Sequence, residues 1–135
     1  MVLSTAALCL GLAIYHEARG ESFEGQHAVA QVIMNRAGRD PANICREVFK
    51  PGQFSWTNPL TRASKQERAN LVEKYMPKDE KAWLLARSIA YYAANGTIKD
   101  FTHGATFYHA TSVSPIWRHD FKLVAVIGNH KFYRV

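Results

Sequence analysis

The chain has 135 residues, 47% of them apolar and 21% charged, with a net charge of +6. That length suits one domain, 1–135, with a core that needs neither disulfides nor metal, and the composition is that of an ordinary globular protein. The positive balance favours anionic polymers, but Lys and Arg are scattered and match no nucleic-acid-binding motif, so charge alone selects no partner.

The first predicted element is a helix over residues 2–17. At 100° per residue Leu3, Ala6, Ala7, Leu10, Ala13 and Ile14 share one face, and Glu17 falls on it too. Gly20 reads as the left-handed residue that ends the helix. A carboxyl on the last turn of an apolar stripe, near the negative end of the helix dipole, is expected to hold its proton more tightly than in water. A general acid working near neutral pH requires that. The structural alternative is a glutamate salt-bridged to Arg19 or Arg36. No Lys or Arg precedes the apolar run, which ends in His16-Glu17, so it reads as a core helix rather than a signal peptide. It is also shorter than the ~20 apolar residues of a membrane span, so no stable membrane insertion is expected. Cys9 and Cys45 read as buried small hydrophobes, with a bridge between them left open.

A second helix is predicted from Ser22, its N-cap, to about Ala37, with Gly38 ending it. It is apolar nearly all round (Phe23, Ala28, Val29, Val32, Ile33, Met34), as a helix buried on several sides is. Asn35 and Arg36 on it are expected to tie it to the turn after Glu17. Asp40-Pro41 opens a short helix through Phe49, and Lys50-Pro51-Gly52 turns the chain into Gln53-Phe54-Ser55-Trp56. Aromatic rings with polar neighbours suit a sugar, although Phe54 reads as core and Trp56 fits either role. A surface helix is expected over 64–75. Asp79 caps the next helix, 81–94, with a core stripe of Leu85, Ile89 and Tyr92 on a face widened by Ala82, Ala86 and Ala93, and Asn95-Gly96 ends it. Residues 105–110 form a strand or extended segment. Lys122–Ile127 is a β-branched strand that returns through Gly128-Asn129-His130 as a hairpin. The fold class is α+β: a mostly helical body with a small antiparallel sheet near the C-terminus.

Glu17-Ala18-Arg19-Gly20-Glu21, then Gly25-Gln26, Ala28-Val29-Ala30 and Met34-Asn35-Arg36, resemble the signature of the SleB-type cell wall hydrolases. Weaker matches follow in order: Val48-Phe49, Gln53-Phe54-Ser55, Ala105 to Ala110, Trp117, and Gly128 to Tyr133. That family includes spore cortex-lytic enzymes and phage endolysins. The resemblance implies a lysozyme-like fold, a monomer acting on peptidoglycan glycan strands, and no cofactor.

Glycoside cleavage usually needs two carboxyl groups. With Glu17 as the acid, a second would come from Glu21, Glu24, Asp100 or Asp120, and spacing singles out none. Glu21 is near enough to help, by positioning Glu17 or orienting Arg36, and is the other candidate catalytic residue. The resemblance supplies another route. A lytic transglycosylase needs one carboxyl group, which protonates the leaving oxygen and then takes the proton of the muramoyl 6-hydroxyl as a 1,6-anhydro sugar forms. From the matched blocks, Gln53, Ser55, Trp56, Tyr108, His109 and Trp117 are placed in the substrate groove. The expected activity is therefore cleavage of the MurNAc-β-1,4-GlcNAc bond, with a hydrolytic muramidase as the alternative. A zinc amidase is a rival because the chain has 6 histidines, but their spacing matches no metal signature and no metal site is expected. A non-catalytic cationic module for wall polymer or nucleic acid is another; it explains the charge but not Glu17. The setting expected is a phage endolysin made in the cytoplasm without a signal peptide and acting on the host wall, with a bacterial origin open.

Overall fold

The computed structural model describes residues 3–57 and 76–135, together with Pro59 and Lys74. The surface helix expected over 64–75 lies almost wholly outside the described residues.

Helix α1 runs Thr5–Ala18, its N-terminus capped by Ser4, whose hydroxyl accepts from the Ala7 amide at 3.1 Å. Gly20 follows with φ +92°, the left-handed conformation expected of it. Helix α2, Phe23–Arg36, starts at Ser22, whose hydroxyl accepts from the Gly25 amide at 3.1 Å. A 3-10 turn at Pro41–Asn43, capped by Asp40, leads into α3, Ile44–Val48. Helix α4, Glu80–Ala94, is capped by Asp79, which accepts from the Ala82 amide at 3.1 Å.

The main core lies between α1, α2 and α4. Leu10, Ile14, Ile33 and Ile89 are essentially sealed from water there, each contributing about 1.5–3 kcal/mol by burial. Helices α1 and α4 approach closely because Gly11 has no side chain: a Cβ there would meet the Trp83 ring at 3.3 Å. This close approach keeps Ile89, Ala86 and Ala93 of the face expected on α4 and corrects Tyr92. Ala86, Ile89, Ala90 and Ala93 are buried, Leu85 is half-buried, and Tyr92 is turned outward at 45% exposed. A tight crossing takes alanines and has no room for a phenol.

Strand β1 is Phe107–Ala110, β2 Lys122–Ile127 and β3 His130–Arg134. The hairpin of β2 and β3 forms as expected, and β1 pairs antiparallel with β3, giving the order β1-β3-β2. Tyr108 lies opposite Phe132, and Ala110 opposite His130. Tyr108, His130 and Phe132 therefore share the sheet face that packs on Ala28 and Val32 of α2, and Phe107, His109 and Tyr133 point the other way.

Cys9 and Cys45 are joined in a disulfide with Cα atoms 5.3 Å apart. The separate-hydrophobe reading is thus corrected. Cys9 sits on α1 and Cys45 on α3. The packing of those helices brings together two thiols 36 positions apart in sequence, a distance that sequence spacing does not reveal.

Candidate active site

Glu17 sits on the last turn of α1, half-buried. The Tyr108 hydroxyl donates to its Oε1 at 2.6 Å, so the partner of Glu17 is a phenol on β1 and not a salt-bridged arginine. Burial, and then the neighbouring Glu17 charge, push the Tyr108 phenol well above its ordinary value; Arg36 acts in the opposite sense. Tyr108 therefore stays protonated at any ordinary working pH and remains the donor. Among the described residues the hydrogen bond that Glu17 accepts is the one at Oε1.

Arg36 ends α2, and its Nε donates to the Thr106 carbonyl at 2.5 Å, just before β1. Its guanidinium lies 5.4 Å from the Phe107 ring and 6.0 Å from the Phe54 ring. Burial lowers its pKa, opposed by Tyr108, Glu47 and Glu17, but a guanidinium remains cationic. Its charge is thus fixed near the Tyr108–Glu17 pair. Asn35 donates to the Ala105 carbonyl at 2.9 Å and to Asp100 Oδ2 at 3.1 Å. Asn35 and Arg36 therefore tie α2 to the segment entering β1, not to the turn after Glu17 as the sequence suggested.

Of the four other carboxylates weighed from the sequence, Asp100 and Glu21 are engaged elsewhere. Asp100 accepts from the Thr102 amide at 2.8 Å, the Thr102 hydroxyl at 2.6 Å, the Gly104 amide at 2.8 Å and Asn35. These bonds outweigh burial and lower its pKa. Glu21 Oε1 lies 2.9 Å from His130 Nδ1, an ion-pair distance but off the hydrogen-bonding direction, and Oε2 accepts from Asn129 at 3.1 Å. Its contacts are thus with the β2–β3 turn, neither with Glu17 nor with Arg36. Glu24 and Asp120 are exposed.

The structure divides the residues assigned to the groove. Tyr108 reaches Glu17. Trp56 stacks on His16, the neighbour of Glu17, with ring centroids 4.5 Å apart. Gln53 and Ser55 arrive on the same loop, half-buried and exposed respectively, and hydrogen-bond neither Glu17 nor Tyr108. His109 and Trp117 stand on the opposite sheet face. His109 is buried, with Nε2 2.8 Å from the Tyr133 hydroxyl and Nδ1 2.7 Å from the Ala110 carbonyl. Trp117 packs among Phe107, His109, Phe121 and Tyr133. The reason is the strand's two-residue period: adjacent residues of one motif face opposite ways.

His130, expected only as part of the hairpin turn, opens β3 and touches both Glu21 and Tyr108. The signal available was its parity with Phe132, which places both on the inner face. His27, buried against Gln31 at 3.2 Å, has its pKa lowered by burial and belongs to the core.

The cell wall hydrolase family model matches residues 20–133. The chain is 34% identical over 123 residues to the spore cortex-lytic enzyme of Halalkalibacterium halodurans, covering 89% of this chain and 32% of that protein. It is 44% identical over 48 residues to the spore cortex-lytic enzyme of Bacillus subtilis, 34% of this chain and 16% of that one. The matches thus span at most about a third of these curated relatives. The catalytic domain of the germination-specific lytic transglycosylase SleB from Bacillus anthracis superposes with a TM-score of 0.65 at 25% identity, over 98% of this chain and 97% of that one. The Bacillus cereus SleB catalytic domain gives 0.67 at 26% identity, over 98% and 93%. The lysozyme-like α+β architecture is therefore that of these domains. The family match opens three residues after Glu17, so the role of Glu17 stands on its geometry.

Proposed function

The chain belongs to the cell wall hydrolase family, and from that premise we propose that it cuts the glycan strand of peptidoglycan as a lytic transglycosylase. The bond is the β-1,4 link from MurNAc C1 to GlcNAc O4. Glu17 Oε2–H protonates the GlcNAc O4 as the C1–O4 bond breaks. The resulting carboxylate takes the proton of the muramoyl 6-hydroxyl, and that oxygen closes on C1. The product is a 1,6-anhydro sugar, and Glu17 ends with its proton restored. Tyr108 occupies Oε1, so the proton to be transferred resides on Oε2 in every cycle. Trp56, stacked beside Glu17's neighbour, offers a ring for a sugar face.

The observation that carries this reading is the 2.6 Å Tyr108–Glu17 bond on a half-buried carboxyl, while Asp100 and Glu21 are committed to other partners. That commitment favours a one-carboxyl mechanism over a two-carboxylate muramidase, which is the second reading. We take the enzyme to work on the glycan strand as a monomer, without nucleic acid. The +6 charge suits an anionic wall. The Cys9–Cys45 bridge suits work outside the reducing cytoplasm. We assign the enzyme to phage lysis of a host wall; the spore cortex named for its relatives is the other setting.

Mass spectrometry of fragments from purified sacculi tests the chemistry. Anhydromuramoyl ends made by wild type and not by Glu17→Gln are expected. Reducing muramic acid ends would establish the muramidase instead. Free stem peptides, or full activity in Glu17→Gln, would overturn the reading.

A further inference from the structure

Glu21 is held at a corner of the fold. Its amide donates to the Ala18 carbonyl at 3.0 Å, and its carbonyl accepts from Gln26 Nε2 at 3.1 Å. Its carboxylate meets His130 at 2.9 Å and Asn129 at 3.1 Å, the two residues where β2 turns into β3. His130 is only 8% exposed, and its ring stands edge-on to the Tyr108 ring, centroids 5.3 Å apart at 85°. His130 and Tyr108 are two positions apart on one sheet face, because Tyr108 pairs with Phe132. A continuous set of contacts thus leads from Glu21 through His130 and Tyr108 to Glu17.

We propose that Glu21 is a positioning residue: it clamps the β2–β3 turn to the α1–α2 corner, presses His130 against Tyr108, and so aims the Tyr108 hydroxyl at Glu17. This rests on Glu17 being the acid. The physical reason is the shortness of the final bond. The Tyr108 ring packs against both hydrophobic clusters, with Phe132 5.9 Å away at a tilt and the His130 edge 5.3 Å away, so loss of the His130 contact loosens one side of it and lets the phenol drift. Drift of the order of an ångström breaks the bond to Glu17 and frees Oε1 to carry the proton in the wrong place. The His130 edge blocks that drift, and the carboxylate of Glu21 fixes His130 while also holding Asn129. Glu21 therefore touches no reacting atom, yet its loss is felt in the chemical step.

The test measures kcat and KM on soluble glycan strands for Glu21→Ala, Glu21→Gln, Tyr108→Phe and the double variant Tyr108→Phe/Glu21→Ala. It also records the Tyr108 ring-carbon (Cζ) NMR signal of the resting protein. Glu21→Ala is expected to lower kcat about tenfold with KM unchanged, since mispositioning acts on the transition state. Glu21→Gln, which keeps the shape and the Asn129 bond, should recover most of that loss. The double variant should be no slower than Tyr108→Phe alone. The Tyr108 signal should move in Glu21→Ala toward its position in Glu17→Gln and stay put in Glu21→Gln. Losses that multiply in the double variant, or a slowed Glu21→Ala with an unmoved Tyr108 signal, would overturn the proposal. If wild type cuts no glycan strand, the functional reading fails and the Tyr108 signal alone decides this one. Should Glu21→Ala not fold, His130→Leu carries the same comparison.

Discussion

The disulfide allows a sharp prediction, because it anchors the helix that bears Glu17. Cys9 and Cys45 are 36 residues apart, so their bond closes a loop of that length in the unfolded chain. On the loop-entropy model, ΔS is about −2.1 − 1.5R ln 36, or about −13 cal/mol/K, which stabilises the fold by about 4 kcal/mol at 25 °C. With an unfolding entropy of about 2.1 cal/mol/K per residue, the 135-residue chain should lose roughly 13 °C in Tm on losing the bridge. The assay is thermal unfolding by circular dichroism, oxidised and in excess reductant, with the double variant Cys9→Ala/Cys45→Ala as a control for the reductant. Reduced wild type and the double variant should melt together, well below the oxidised protein. A drop under about 3 °C in both would refute the argument, since the unfolded chain would then gain little freedom. Activity after heating should follow the same order, because unfolding α1 removes Glu17 from Tyr108.

Asp100→Asn should cost about 2 kcal/mol in denaturant unfolding, through weakened bonds to a charged acceptor, while leaving kcat nearly intact. A large kcat loss at preserved stability would make Asp100 a catalytic group. Tyr108, raised above its unfolded value, contributes stability fully present below about pH 10. That contribution is lost as pH rises through its folded value, so the fall of Tm above pH 10 should be shallower in Tyr108→Phe; equal slopes would contradict this. Clearing of whole sacculi should weaken with added salt, while turnover of short soluble strands should not, if the +6 charge acts only in wall binding. Equal salt dependence on both substrates would place the cations in the catalytic groove.

What could be read from sequence was what helices determine locally. The caps at Ser22 and Asp79, the turn at Gly20 and the inward aspect of Glu17 all follow from intervals of two to four residues. What escaped depends on which elements meet. Tyr108 and His109 are neighbours in one motif, yet only Tyr108 faces α2, because the helix covers one side of the sheet and side chains alternate. Tyr92 fits the period of α4 but not the narrow contact that Gly11 creates with α1. The disulfide and the Glu21–His130 contact join residues 36 and 109 positions apart, and no periodicity encodes such distances. The same reasoning separates the two acidic residues of one short motif. Glu17 ends a helix face and looks along the core toward β1; Glu21 lies beyond the left-handed turn at Gly20 and looks toward the β2–β3 turn. The turn between them is what gives two like carboxylates different neighbours. Replacing Gly20 with a β-branched residue such as Val, strained at φ +92°, should therefore impair both contacts at once. Loss of kcat would then be accompanied by displaced NMR signals for Tyr108 and His130 together, and displacement of only one would show that the turn does not couple them.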